Sequence, residues 1–171
     1  MMLYFNKSYI KLLLMLLLPF LMACTSNEKQ RLLQIESVLE KHPDTAWTML
    51  CQENKHLAEY SKSNRMKFLL LRTEAMNKLF YAMDTINYMD EVLDYYSFWG
   101  KDGEKALANY MMGCVYRDRG NSPMALQYYN EAVVKNDTTK RDCNFALLSK
   151  IYGQMADVYR LQRYPQMELK I

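Results

Sequence analysis

Beyond Asn27, apolar residues recur at intervals of three and four, and no stretch alternates apolar with polar residues. This spacing places the apolar side chains on one face of an α-helix, whereas a half-buried strand requires a period of two. Short polar breaks divide the pattern, for example at residues 42–44 and 120–121. The sequence therefore predicts an all-α fold in which eight helices form antiparallel pairs.

Residues that favour helix ends support these breaks. Asp44, Asp84 and Ser122 are candidate N-caps, because a short polar side chain accepts a hydrogen bond from the first turn. Pro123 suits the first turn after Ser122, and Gly100 suits the end of the fourth helix. The first, third, fifth and seventh helices are predicted near 28–41, 64–81, 104–118 and 140–162. The second, fourth and sixth helices follow the candidate N-caps Asp44, Asp84 and Ser122, and the sixth ends near residue 136. An eighth helix begins before Ile171.

The N-terminal segment carries the marks of a secretory signal. Lys7 and Lys11 precede an apolar run over residues 12–22, which is the order of the n-region and h-region. An uncleaved membrane anchor is the alternative. The uninterrupted run is about half of the ~20 residues that a spanning helix needs, and Pro19 breaks it. The pattern favours a cleaved signal.

The segment Leu21-Met22-Ala23-Cys24 resembles the bacterial lipobox, in which the chain is cleaved just before a lipidated cysteine. The resemblance implies a protein anchored to the cell envelope through lipid on Cys24, with the outer membrane as the default because no Asp follows the cysteine. Periplasmic and surface orientations both stay open. The implied organisation is a signal peptide at 1–23, a tether at 24–27 and a helical domain at 28–171.

The charge balance is close to neutral once the N-terminal segment is set aside. The chain has 22 Lys and Arg against 19 Asp and Glu, and Lys7 and Lys11 belong to the predicted signal. Nucleic-acid binding requires a concentrated basic face. The composition therefore argues against a nucleic-acid partner.

No motif of catalysis or metal binding is present in the sequence. Neither His42 nor His56 has cysteine partners at a zinc spacing, and the chain lacks a glycine-rich phosphate loop and a nucleophile elbow. We therefore expect a protein that is not an enzyme and that has no metal or cofactor. Whether a disulfide joins two of Cys51, Cys114 and Cys143 stays open at this point.

One stretch, residues 106–137, resembles the tetratricopeptide repeat, a helix-turn-helix of 34 residues. The match departs from the family at Asn109, where a Trp is usual, and at Asp137, where a Pro is usual. Small residues at the family's positions let two helices approach closely. These residues are expected to pack rather than to catalyse; the matching positions are Met112, Gly113, Tyr116, Ala125, Tyr129 and Ala132.

A second unit begins at Ser149, with Ala156 and Tyr159 at the family's small and aromatic positions. Its spacing from the first unit is 43 residues, measured from Tyr116 to Tyr159, so a longer linker is expected between them. The first two helix pairs resemble divergent hairpins of repeat lipoproteins from Gram-negative gut anaerobes. The resemblance implies a right-handed solenoid of about four hairpins, the last of them incomplete.

Members of this family hold protein or peptide partners on the concave surface that the first helix of each hairpin builds. A membrane-tethered, non-catalytic binding scaffold is the function that the resemblance implies. The alternative is the sensor part of a larger membrane signalling protein whose C-terminal portion is missing. The family's groove positions correspond to Tyr110, Cys114 and Arg117 on the fifth helix and to Lys150, Asp157 and Arg160 on the seventh.

Overall fold

A computed structural model describes residues 27–141 and 143–163. Throughout these ranges all regular structure is helical, which confirms the predicted all-α class. The predicted signal peptide, Cys24 and the eighth helix lie outside the described residues. The elements are α1 (27–39), α2 (Pro43–Glu53), a 3-10 helix (Asn54–Glu59), α3 (Lys62–Lys78), α4 (Met89–Trp99), α5 (Asp102–Asp118), α6 (Ser122–Lys135) and α7 (Phe145–Arg163).

None of the described helices is both long enough and apolar enough to cross a bilayer. The chain divides into two compact units, one ending at Phe68 and the other beginning at Leu69. In the first unit the ring of Tyr60 meets Phe68 edge-on, with 6.3 Å between centroids. The apolar faces of α1 and α2 are buried there through Leu32, Ile35, Leu39, Ala46 and Leu50.

The second unit is organised around α5. This helix packs most extensively against α6 and also contacts α4 and α7. Every residue from Ala108 to Val115 is buried, so α5 is covered on all sides over two turns. A helix that is apolar all round belongs in the core rather than at the surface. The second unit is therefore built in layers around α5.

The N-cap position of α2 lies two residues before the predicted one, and that of α6 lies one residue before it. His42 occupies the N-cap position of α2 without a side-chain hydrogen bond, and Pro43 takes the first helical position, so the prediction of Asp44 as the cap is wrong. Pro43 fits there because the first-turn N–H groups have no intrahelical acceptor in any case. At α6 the side chain of Asn121 accepts a 3.2 Å hydrogen bond from the amide of Met124. Asn121 therefore replaces the predicted cap, Ser122.

The fourth helix begins at Met89, five residues after the predicted cap Asp84. The intervening loop is held by the C-terminal end of α5. The guanidinium of Arg119 donates to the carbonyl of Asp84 at 3.1 Å and also to the carbonyl of Ile86. Asp118 accepts a 3.1 Å hydrogen bond from the amide of Met83. These tertiary contacts keep the loop out of a helix.

The seventh helix begins at Phe145 rather than near residue 140. The side-chain amide nitrogen of Asn136 donates to the backbone carbonyl of Asn144 at 2.8 Å, and its side-chain oxygen accepts from the backbone amide of Asn144 at 2.8 Å. Asn144 in turn accepts from the amide of Leu147 at 3.0 Å and caps the first turn of α7. The two asparagines therefore close a loop between α6 and α7.

Candidate functional site

The hairpin of α5 and α6 is tightly packed at Gly113. A Cβ at this position would lie well inside van der Waals distance of the ring of Tyr129 and 3.2 Å from the carbonyl oxygen of Ala125. Only a glycine lets the two helices approach this closely. Four further positions of the repeat-like pattern are fully buried: Met112, Ala125, Tyr129 and Ala132.

The aromatic positions of the two repeat-like units differ in their surroundings. Tyr116 is half-buried and stacks on Tyr128, with centroids 5.4 Å apart. In the second unit Ala156 and Tyr159 are exposed. The hairpin packing found at Gly113 therefore has no counterpart at Ala156 among residues 27–141 and 143–163.

A groove of about 360 Å³ is formed by α3, α5 and α7, together with the turn after α3. This volume falls within the range of ligand pockets, about 300–1,000 Å³. Its walls combine apolar, amide and charged groups, and cations outnumber carboxylates. The lining residues are Glu74, Asn77, Lys78, Phe80, Leu107, Tyr110, Met111, Arg117, Leu147, Lys150 and Gln154.

Arg117 links the three helices of this groove. Its guanidinium donates to the side-chain oxygen of Gln154 on α7 and, at 3.3 Å, to Asn77 on α3. Asp118, on the same helix, accepts from Nε of Arg117 at 2.8 Å. Because Arg117 has one acceptor on each wall, it fixes the spacing of α3, α5 and α7.

Tyr110, which lines the groove, forms a buried cluster with Tyr129 and Cys114. Tyr110 is 4% exposed, and its ring lies 5.9 Å from that of Tyr129. The hydroxyl of Tyr129 donates to the sulfur of Cys114 at 3.6 Å. Burial raises the pKa of the Cys114 thiol to about 11 and raises the pKa of Tyr110. At neutral pH the thiol is therefore protonated, and Cys114 lies beneath the groove instead of on its wall.

The structure separates the six groove residues that the sequence predicts. Tyr110, Arg117 and Lys150 line the groove together. Asp157 and Arg160 form an ion pair with each other at 2.9 Å and are not among the lining residues. They lie one to two turns beyond Gln154, which is the last groove residue on α7. Three of the six predicted residues therefore lie together in the groove, and the other three do not line it.

The α3 wall was missed by the sequence-based prediction. Glu74, Asn77 and Lys78 lie in the last turns of α3, where their polarity is typical of a solvated helix face. The sequence pattern does not show that the end of α3 lies beside α5. The Asn77–Arg117 hydrogen bond records this packing, and it has no sequence signature.

Phe80 forms the rim of the groove in an unusual backbone conformation. Its φ is 56°, a left-handed value that side chains other than glycine rarely adopt, and its side chain is 95% exposed. The amide of Tyr81 donates to the carbonyl of Met76 at 2.9 Å, and the amide of Phe80 donates to that of Asn77 at 3.3 Å. This is a Schellman motif, in which glycine usually occupies the left-handed position.

No group of three or more potential metal ligands occurs among residues 27–141 and 143–163. The three described cysteines, Cys51, Cys114 and Cys143, are free thiols. No protein-family model matches the chain, and neither the curated proteins nor the solved structures contain a match.

Proposed function

We propose that this protein is a non-catalytic scaffold that binds a protein or peptide partner in the groove between α3, α5 and α7. We further propose that it is a tetratricopeptide-like solenoid of about four hairpins, tethered to the cell envelope through lipid on Cys24. The observation that carries the binding role is the groove itself, with Tyr110, Arg117 and Lys150 on its walls.

The order of helix contacts supports a repeat arrangement in the second unit. Each helix from α4 to α7 packs against the next one in the chain, and α5 also contacts α7. In a stack of hairpins, the first helices of successive hairpins lie side by side and form one surface. The groove is lined by α3, α5 and α7, which would be the first helices of three hairpins.

The chemistry of the walls suits an extended peptide. The side-chain amide N–H groups of Asn77 and Gln154 can donate to backbone carbonyls of a peptide, while their oxygens accept from Arg117. Leu107 and Met111 offer apolar surface for a side chain. Arg117 is paired with Asp118, and the lining also contains two lysines, Lys78 and Lys150, and one carboxylate, that of Glu74. We therefore propose a partner segment that is neutral or acidic and carries at least one apolar side chain.

Selection from a displayed library of random peptides tests this function with the full-length chain in detergent micelles. We expect the selected peptides to lose at least about tenfold in affinity on the Lys150→Glu substitution, measured by fluorescence anisotropy. Lys150 is exposed, so the fold should tolerate the change. Leu107→Ala should weaken the same peptides through lost apolar contact.

Lys62→Glu is the matched control, because Lys62 is an exposed lysine on α3 that is not part of the groove lining. It makes the same change in net charge and should leave peptide affinity within about twofold. Peptides that bind equally well to wild type, Lys150→Glu and Leu107→Ala would contradict the proposed groove.

A further inference from the structure

The first turn of α1 is bound to the start of α3. Glu28 is 9% exposed, and its carboxylate accepts hydrogen bonds from the side-chain amide of Asn64 at 2.8 Å and from the backbone amide of Ser61 at 3.4 Å. Because two partners outside α1 hold this side chain, the polypeptide is fixed to the first compact unit from its second described residue onward.

The end of α2 lies at the same place. Arg31 is one turn further along α1, and its Nε is 3.0 Å from the carboxylate of Glu53, the last residue of α2. The hydroxyl of Tyr60 donates to that carboxylate at 2.6 Å. Residues 27–31 and 53–65 therefore form one end of the first unit, which we call the tether end.

The exposed charges of the tether end are mainly positive. The carboxylates of Glu28 and Glu53 bind partners within the unit, as described above. Among the described residues of this end, the exposed carboxylate is that of Glu59. Three lysines are exposed there: Lys29, Lys55 and Lys62. The tether end therefore presents more cationic than anionic groups to its surroundings.

The tether end is also close in the chain to the predicted lipid. Asn27, where α1 begins, follows Cys24 by three residues. A chain spans at most about 3.6 Å per residue, so the Cα atoms of Cys24 and Asn27 are no more than about 11 Å apart. The Debye length at physiological salt is about 8 Å. Lysines at the tether end are therefore within reach of the surface potential of a bilayer that holds the lipid.

We infer that the tether end lies on the bilayer that holds the lipid of Cys24, with Lys29, Lys55 and Lys62 against the phosphates of anionic phospholipids. This inference rests on the proposed lipidation. A lysine near an anionic membrane surface contributes about fivefold in affinity. The lipid supplies the attachment, and the short tether and the lysines determine which end of the first unit faces the membrane.

Fluorescence quenching on the lipidated chain in vesicles tests this orientation. A bimane label is attached at Ser63→Cys in the tether end or at Thr45→Cys, the matched control, in a background of Cys51→Ser and Cys143→Ser. Both labelled positions are exposed, and Thr45 lies about 12 Å along α2 from Glu53. We expect a lipid with a nitroxide headgroup to quench the label at position 63 at least about threefold more. Equal quenching would overturn the orientation.

Mass spectrometry of the reconstituted chain separates this result from a failure of the proposed tether. A chain without lipid on Cys24 would overturn the tether and the orientation together. Equal quenching at both positions on a chain whose lipid is confirmed would overturn the orientation alone.

Lengthening the tether tests why the unit lies close to the membrane. Insertion of about ten Gly and Ser residues after Ser26 gives a flexible linker. In vesicles of neutral phosphatidylcholine, where the lysines gain little, this insertion should reduce quenching at position 63 at least about twofold. Unchanged quenching would overturn the role of the short tether.

Charge reversal tests the partner of the lysines. In vesicles that contain phosphatidylglycerol, Lys29→Glu should reduce quenching at position 63 at least about twofold, and added salt should reduce it in wild type. Lys41→Glu is the matched control, because Lys41 is exposed and lies about 18 Å further along the axis of α1. An equal effect of the two substitutions, or none from Lys29→Glu, would overturn headgroup phosphates as the partner.

Discussion

Gly113 and Cys114 are consecutive residues of α5, and packing against Tyr129 determines the properties of both. At Gly113 the ring occupies the space that a side chain would need. At Cys114 the hydroxyl of Tyr129 supplies a hydrogen bond in a site without solvent access. Each residue therefore provides a direct test of how α5 meets α6.

The substitution Gly113→Ala should lower the free energy of unfolding by about 1–3 kcal/mol, because the added methyl group overpacks the core. Gly103→Ala is the control on the same helix, since a Cβ at Gly103 meets no atom within 4 Å. Gly103→Ala should leave the free energy of unfolding unchanged or raise it slightly. Urea denaturation of both variants measures the difference. Equal stability of the two variants would mean that α5 and α6 do not approach closely at Gly113.

The raised pKa of Cys114 predicts a loss of stability at alkaline pH. Its folded-state pKa of about 11 lies above the ordinary value of 9.0, because burial disfavours the thiolate. The buried thiol therefore makes its full contribution to the free energy of unfolding below pH 9, and this contribution falls as the pH rises from 9 to about 11. Cys114→Ser removes this titration and should reduce the alkaline decrease in unfolding free energy by about 2 kcal/mol.

Cys51→Ser is the control for this measurement, because Cys51 is exposed and its removal should leave the pH dependence as in wild type. Thiol labelling gives a second readout. Cys51 should react with iodoacetamide in the folded protein, whereas Cys114 should react only after unfolding. An alkaline transition that is identical in wild type and in Cys114→Ser would contradict the burial of this thiol.

At the scale of secondary-structure elements, the ends of α3 and α7 are determined by contacts rather than by helix propensity. Asn136, which is buried, makes two hydrogen bonds to the backbone of Asn144, and these delay the start of α7. At the end of α3, a Schellman motif places Phe80 in the left-handed region. Both ends border elements that form or support the groove.

Asn136→Ala should lower the unfolding free energy by about 2 kcal/mol, because it leaves an N–H and a carbonyl of Asn144 without these partners. Asn130→Ala, at an exposed position of α6, should change it by less than about 0.5 kcal/mol. Thermal and urea unfolding monitored by circular dichroism compare the two variants. Similar midpoints would show that the asparagine bonds contribute little to the loop.

Phe80→Gly should raise the unfolding free energy by about 1 kcal/mol, because glycine adopts the left-handed conformation without the steric penalty of a Cβ. Phe80→Ala retains that penalty and should not be stabilising. Both variants remove the exposed ring, so both should weaken binding of the groove peptides described above. If alanine stabilises as much as glycine, then exposure of the ring, and not backbone strain, accounts for the effect.

At the scale of the whole molecule, the proposed scaffold is attached to the cell envelope through lipid on Cys24. The lipobox-like segment predicts a lipid on Cys24, and metabolic labelling with a fatty acid tests this. We expect label on the wild-type protein and none on Cys24→Ser.

The sequence by itself determined the helical class and the approximate position of most helices, because the period of apolar residues is a local property that any packing arrangement must satisfy. The resemblance of residues 106–137 to the tetratricopeptide repeat implied the hairpin around Gly113, because Gly113, Ala125 and Ala132 fall at the family's small positions. Three residues that line the groove, Tyr110, Arg117 and Lys150, are among the six that the resemblance to the tetratricopeptide repeat implied.

Only the tertiary structure decided the rest. The start of α4 depends on Arg119 and Asp118, which lie about 30 residues later in the chain, and the α3 wall of the groove depends on Arg117 meeting Asn77. The burial of Cys114 and the exposure of Tyr159 depend on which neighbours each helix has. Such contacts join residues that are distant in sequence, and the local pattern at either end does not specify its partner.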